Sequence, residues 1–184
     1  MFRNLLRKIA RGLDKLHIPY MVVGGQAVLL YGEPRLTKDI DITLGVDLDE
    51  IEKVRNLATT LNLKVLVNKI EEFVKDTMVL PTIDEKSGIR VDFILSFSYY
   101  EKQAIGRANT VRLGKTAIKF ASLEDLVIHK IIAGRARDIE DVKSVLLKNP
   151  HYDTGYIARW LEEFDRSLGE NFSAMFNRIL EEIQ

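Results

Sequence analysis

The sequence contains no cysteine, which excludes disulfides, thiol nucleophiles, iron–sulfur clusters and thiolate zinc sites. Histidine is scarce, and His17, His129 and His151 show no metal-ligand spacing among them. Nowhere do about 18 apolar residues run together, so no membrane-spanning helix and no membrane partner are expected. The opening stretch MFRNLLRKIARGLDKLH carries a charge every three or four residues and lacks the apolar stretch of a signal peptide. A soluble, cytoplasmic protein is the expectation. An excess of either charge is missing too: 27 Lys and Arg balance 27 Asp and Glu, which argues against broad, sequence-independent nucleic-acid binding.

What is present is 184 residues, of which 46% are hydrophobic. A chain of that length buries roughly 70% of the surface its unfolded form exposes, enough for one domain, or one domain with an appendage. Charge is unevenly spread along it. Residues 102–137 hold eight basic side chains against Glu124 and Asp125, which marks either a site that receives an anion or a solvated basic face.

Periodicity predicts a mixed α/β (α+β) chain. Leu5, Leu6, Ile9, Leu13 and Leu16 recur at helical spacing over 2–17, ahead of Pro19. Tyr20 to Val23 reads as a short strand, and Gln26 to Tyr31 as a short helix. Asp39-Ile40-Asp41-Ile42-Thr43-Leu44 alternates polar with apolar, the pattern of a half-buried strand. A helix over 48–61, a strand near Val65 and a short helix over 69–75 come next. Residues 78–84 and 89–96 flank a turn at Lys86-Ser87-Gly88 and read as a hairpin, with Pro81 expected on an edge strand because it has no N–H for the ladder. A helix near 99–106 and a second hairpin turning at Gly114-Lys115 complete this part. From Ser122 onward the pattern is helical. The expected division is a core of 1–121 and a helical subdomain of 122–184 packed on it, which would close a ligand cleft.

The residues with chemistry to offer sit in the first half. Asp39 and Asp41 fall on one face of their strand, with same-face Cα atoms about 6 to 7 Å apart, so two carboxylates can lean together onto cations. Asp is depleted in strands and like charges repel, so either a cation belongs there or the acids simply face water at a strand edge. Asp92, within Val91-Asp92-Phe93-Ile94, is a third acid inside an apolar strand. If the strands are neighbours, three carboxylates converge; otherwise Asp92 is a partner for Arg90 or Arg35. Gly24-Gly25 lies between a strand and a helix, where it serves either as a tight turn or as a place where phosphate approaches backbone N–H groups.

Gly24-Gly25, then 13 residues, then Asp39-x-Asp41, then Asp92 on a later strand resembles the polymerase-β-like nucleotidyltransferase superfamily. The stretch GGQAVLLYGEPRLTKDIDITL is similar to the minimal nucleotidyltransferases, including the abortive-infection toxin group, and KIIAGRARDIEDV resembles that group's helical Lys followed by Arg-Asp-x-x-Asp. Gly25 departs from the Ser of many relatives, so a hydroxyl contact to phosphate would be missing. The resemblance implies that Asp39, Asp41 and Asp92 hold Mg²⁺, with Mn²⁺ as the alternative ion. Asp92 would help to deprotonate an attacking hydroxyl, and Gly24 and Gly25 would hold the triphosphate of an NTP. Arg35, Thr37 and Lys38 are candidate phosphate contacts or ordinary loop residues. Lys130 and Arg137 would reach the triphosphate if 130–141 formed one unbroken helix, on which Lys130, Gly134, Arg137 and Asp141 make one stripe. The other reading is that Gly134 breaks that helix, leaving an exposed ion-pair face.

The implied activity is transfer of a nucleoside monophosphate to a hydroxyl, with release of pyrophosphate. A protein side chain, a tRNA and a small molecule all stand as acceptors. One rival is a tRNA-directed toxin with a separate antitoxin partner; another is an inactive nucleotide-binding or interaction module. Gly114-Lys115-Thr116 mimics the end of a P-loop, but position 109 is Asn where that motif needs Gly.

Overall fold

The computed structural model describes residues 2–34, 36–96 and 98–183. In chain order the elements are α1 (Phe2–Lys15), β1 (Tyr20–Val22), α2 (Gly24–Tyr31), β2 (Asp39–Leu44), a 3-10 turn (Leu48–Glu50), α3 (Ile51–Thr60), β3 (Lys64–Val65) and α4 (Ile70–Thr77). Then follow β4 (Val79–Asp84), β5 (Ile89–Leu95), α5 (Tyr99–Gly106), β6 (Asn109–Leu113) and β7 (Thr116–Phe120), and the helices α6 (Leu123–Ala133), α7 (Ala136–Lys148), α8 (Thr154–Leu168) and α9 (Phe172–Ile183). The fold is mixed α/β. None of the described helices is long and apolar enough to cross a membrane.

The strands form one seven-stranded sheet in the order β3-β4-β5-β2-β1-β7-β6. Its centre is built from β2, which pairs in parallel with β5 and antiparallel with β1. Ile40, Ile42, Val91 and Phe93 are fully buried on one face, and burial of each such side chain contributes about 1.5 to 3 kcal/mol. That burial fixes the register, because a slip of one residue would turn the aspartates into the core. α1 packs its Leu5, Leu6, Ile9 and Leu13 stripe inward, and Arg11 Nε donates to Thr116 Oγ1 of β7 at 3.0 Å.

Pro81 corrects the expectation of an edge strand, since β4 lies between β3 and β5. The ring is tolerated there because the Pro81 carbonyl, and with it the ring nitrogen, faces β3. That strand has only two residues and has already ended where Leu66 N donates to Pro81 O at 3.0 Å.

Backbone proximity divides the chain into two compact units, Met1–Gln26 with Leu36–Ala121, and Ala27–Arg35 with Ser122–Gln184. Within the second, the end of α2 is tied to α7: Glu33 N donates to Ser144 Oγ at 2.7 Å, and Asn149 Nδ2 to Tyr31 O at 2.7 Å. Ser122 caps α6 by accepting from Asp125 N at 3.1 Å, and Tyr156 Oη donates to the buried Asp125 at 2.9 Å. Tyr156, Trp160 and Phe164 stack along α8 as a packed face, with ring centroids 6.4 and 6.2 Å apart.

Candidate active site

Alternation on β2 sends Asp39 and Asp41 to the face opposite Ile40 and Ile42. The parallel register aligns Asp39 with Arg90 and Asp41 with Asp92. Residues aligned in this way project to the same side, about 5 Å apart across the pair. Three carboxylates from two neighbouring central strands therefore share one face with one guanidinium. Arg90 Nε donates to Asp92 Oδ1 at 2.8 Å, which makes the ion pair that the sequence offered as one reading of Asp92. That hydrogen bond, opposed by partial burial and reinforced by the fields of Asp92, Asp41 and Asp39, raises Arg90 above its ordinary value.

Gly24 lies against this face. Its φ is +61°, and a Cβ built on it would stand 2.0 Å from Asp41 Oδ2, so only glycine leaves the carboxylate its place. Val23 N donates to Asp41 O at 2.9 Å, holding the start of α2 beside β2. Gly25 is buried in the first turn of α2. Gln26, which the sequence reading passed over, is also buried. Its amide donates to Thr37 Oγ1 and, at 3.4 Å, to Asp39 O, tying the helix start to the loop before the acids. Thr37 is half-buried, Lys38 is exposed, and Arg35 lies outside the described residues.

Lys130 and Arg137 are in the second unit. They do not share a helix: Gly134 at φ +63° ends α6 in the left-handed conformation, with its N–H on Lys130 O at 3.1 Å, and α7 starts afresh at Ala136. The stripe expected of an unbroken helix therefore does not form. Lys130 Nζ is instead enclosed at 7% side-chain exposure, 2.5 Å from Asp138 Oδ1 and 3.0 Å from Asp141 Oδ2. Arg135, which the sequence reading did not single out, donates to Asp138 Oδ2 at 2.5 Å, and Arg137 is exposed. Burial pushes the Asp138 carboxyl up, but the hydrogen bonds from Arg135 and Lys130 outweigh it and hold it below the usual carboxylate range.

As the side chains stand, no three Asp, Glu or His groups among the described residues gather closely enough to hold a metal ion. In kind and register the three aspartates nevertheless fit a hard divalent cation: oxygen donors on one face, and Asp41 given room by the missing Cβ of Gly24.

A family model described as a nucleotidyltransferase of unknown function (DUF6036) matches residues 2–168. The chain belongs to this nucleotidyltransferase family. Solved structures agree in fold. The antibiotic-resistance factor ANT(2'')-Ia is similar at a TM-score of 0.56 and 15% identity, over 96% of this chain and 95% of that one. Its complex with adenylyl-2''-tobramycin gives 0.58 and 15%, over 95% and 98%. An antigenic nucleotidyltransferase-like protein from Paracoccidioides brasiliensis gives 0.54 and 20%, over 78% and 74%. Comparison with curated proteins gives no match.

Proposed function

We propose that this member of the family is a divalent-metal-dependent nucleotidyltransferase, with Mg²⁺ or Mn²⁺ as the ion, moving a nucleoside monophosphate from an NTP to a hydroxyl acceptor. The observation that carries the reading is the alignment of Asp41 with Asp92 across central parallel strands, with Asp39 on the same face. In this reading residues 1–121 supply the catalytic core and 122–184 the helical subdomain.

Asp39, Asp41 and Asp92 would hold the metal, which when bound supplies charge stabilisation to the attacking and leaving oxygens of an in-line displacement. The chain's own residues do the rest. Gly24 and Gly25 offer the backbone N–H groups opening α2 to phosphate oxygens. Thr37 and Lys38 stand in the loop that Gln26 fixes, and contribute a hydroxyl and a positive charge. Asp92, the acid on β5, accepts the proton of the attacking hydroxyl. The hydroxyl oxygen bonds to the α-phosphorus as the bond from that phosphorus to the oxygen of the β-phosphate breaks, and pyrophosphate departs with that electron pair. Lys130, ion-paired with two buried carboxylates, acts here by holding α6 to α7, and Arg137 remains the exposed candidate for phosphate.

ANT(2'')-Ia, whose complex contains an adenylylated tobramycin, motivates a hydroxylated small molecule as the first acceptor to try. Cell extract and a panel of hydroxylated metabolites, incubated with α-labelled NTPs and Mg²⁺ or Mn²⁺, should yield one labelled product, be it small molecule, tRNA or protein. The D39N/D41N variant should lose at least about a hundredfold in rate, the scale on which charge-stabilising groups act. Equal labelling by that variant refutes the reading.

A further inference from the structure

We propose that Arg90 is the internal counter-cation of the three-acid face: without a divalent ion it holds Asp92, and an arriving ion must compete with it, so Arg90 sets how tightly the site takes metal. This rests on the reading of the three aspartates as metal ligands. The register places Arg90 beside Asp39 on the neighbouring strand and two residues before Asp92 on its own, so the guanidinium shares the face with all three carboxylates. Its Nε is 2.8 Å from Asp92 Oδ1.

The two partners are unequally free. The Arg90 side chain is 53% exposed and that of Asp92 only 18%, so the guanidinium can swing into water while the carboxylate stays on the sheet. Pairs this open to solvent contribute only about 0.2 to 1 kcal/mol, weak enough to yield to a doubly charged ion yet large enough to weigh on its affinity. Arg90 thus relieves the mutual repulsion of the acids in the metal-free protein, and its positive charge opposes a second cation beside it. It is a positioning residue, acting on the ligand set through Asp92.

The test is Mn²⁺ titration of the EDTA-stripped full chain, read from the electron paramagnetic resonance signal of free Mn²⁺. The interaction range above corresponds to R90Q binding Mn²⁺ about 1.4- to fivefold more tightly than the unaltered protein. R90K, which keeps the charge, should return the affinity toward the original, and K115Q, in the β6–β7 turn, should leave it unchanged. Melting temperatures in EDTA and in saturating Mn²⁺ give a second readout: R90Q should gain more from Mn²⁺ than the unaltered chain does, whereas a merely structural arginine would lower both temperatures alike. Affinity in R90Q equal to or below the original, or R90K binding as tightly as R90Q, overturns the proposal while the ligand reading stands. No Mn²⁺ uptake by the unaltered chain, with D41N no different, refutes both.

Discussion

Asp41 occupies the space that a side chain at Gly24 would need, and this makes the sharpest prediction. Replacing Gly24 by alanine does two separable things. It places a Cβ at φ +61°, and left-handed backbone costs an L-residue about 1 to 2 kcal/mol. It also drives that Cβ to within 2.0 Å of Asp41 Oδ2 and 2.9 Å of its Cγ, so the carboxylate must rotate away. An off-rotamer side chain adds about 0.5 to 1.5 kcal/mol. Gly88, at φ +68° with nothing within 4 Å, supplies the control in which only the backbone penalty acts. At about 2 to 4 °C per kcal/mol for a chain of this size, G88A should melt roughly 2 to 8 °C below the original protein, and G24A a few degrees lower still. The decisive difference is in ligand binding. Displacing a carboxylate that orients a metal typically weakens affinity about 10- to 100-fold, so Mn²⁺ titration should separate G24A from G88A by at least about tenfold. If the two variants bind Mn²⁺ equally and turn over NTP equally, Asp41 does not depend on the bare backbone at Gly24, and the geometric reasoning fails.

Two further predictions concern the helical unit. K130M leaves Asp138 and Asp141 buried without their shared cation, and breaking a buried pair in this way should cost about 3 to 5 kcal/mol in urea unfolding; a loss under about 1 kcal/mol would show that Arg135 alone suffices. Asp165 of α8 caps α9 by accepting from Phe172 N at 2.5 Å and Ser173 N at 3.1 Å. Partial burial raises its carboxyl, but the hydrogen bonds from Ser173 and Phe172 more than reverse this and hold it below the usual range. Because the folded form binds that proton less readily than the unfolded chain, the stabilisation is complete above about pH 4 and is lost as pH falls through the folded value. D165N should flatten the dependence of the urea midpoint on pH below that point, and an unchanged slope would remove Asp165 from the acid sensitivity of the protein.

How much of this was legible beforehand follows from the range over which each feature is encoded. Asp39 and Asp41 could be read because strand alternation is local and Ile40 and Ile42 mark the buried face. Asp92 could be suspected but not aligned, because its pairing with Asp41 joins strands about fifty residues apart, and register across such a separation is set by mutual burial. Arg90 was named only as a partner for Asp92; the spacing of two within one strand was the signal that they share a face. Gln26 gave no signal, since one buried amide in a short apolar helix breaks no period. The Lys130 stripe could be read two ways because offsets of 4, 7 and 11 residues suit a helix only if it continues, and Gly134 in the left-handed region ends it. Pro81 misled because the strand near Val65 was expected without a pairing partner, and its two residues join β4 just past the ring, at Thr82 and Ile83.

The position of β2 and β5 within the sheet has a bearing on dynamics. They are the fourth and third of seven strands, each flanked on both sides, so no fraying edge reaches them. Releasing their peptide groups to solvent requires opening that approaches global unfolding. Amide hydrogens of Ile40, Ile42 and Phe93 should therefore exchange with deuterium among the slowest in the molecule, ahead only of whole-chain melting, while those of the terminal strands β3 and β6 exchange early. Any adjustment that readies the carboxylates for a ligand is left to side-chain torsions on a stationary floor.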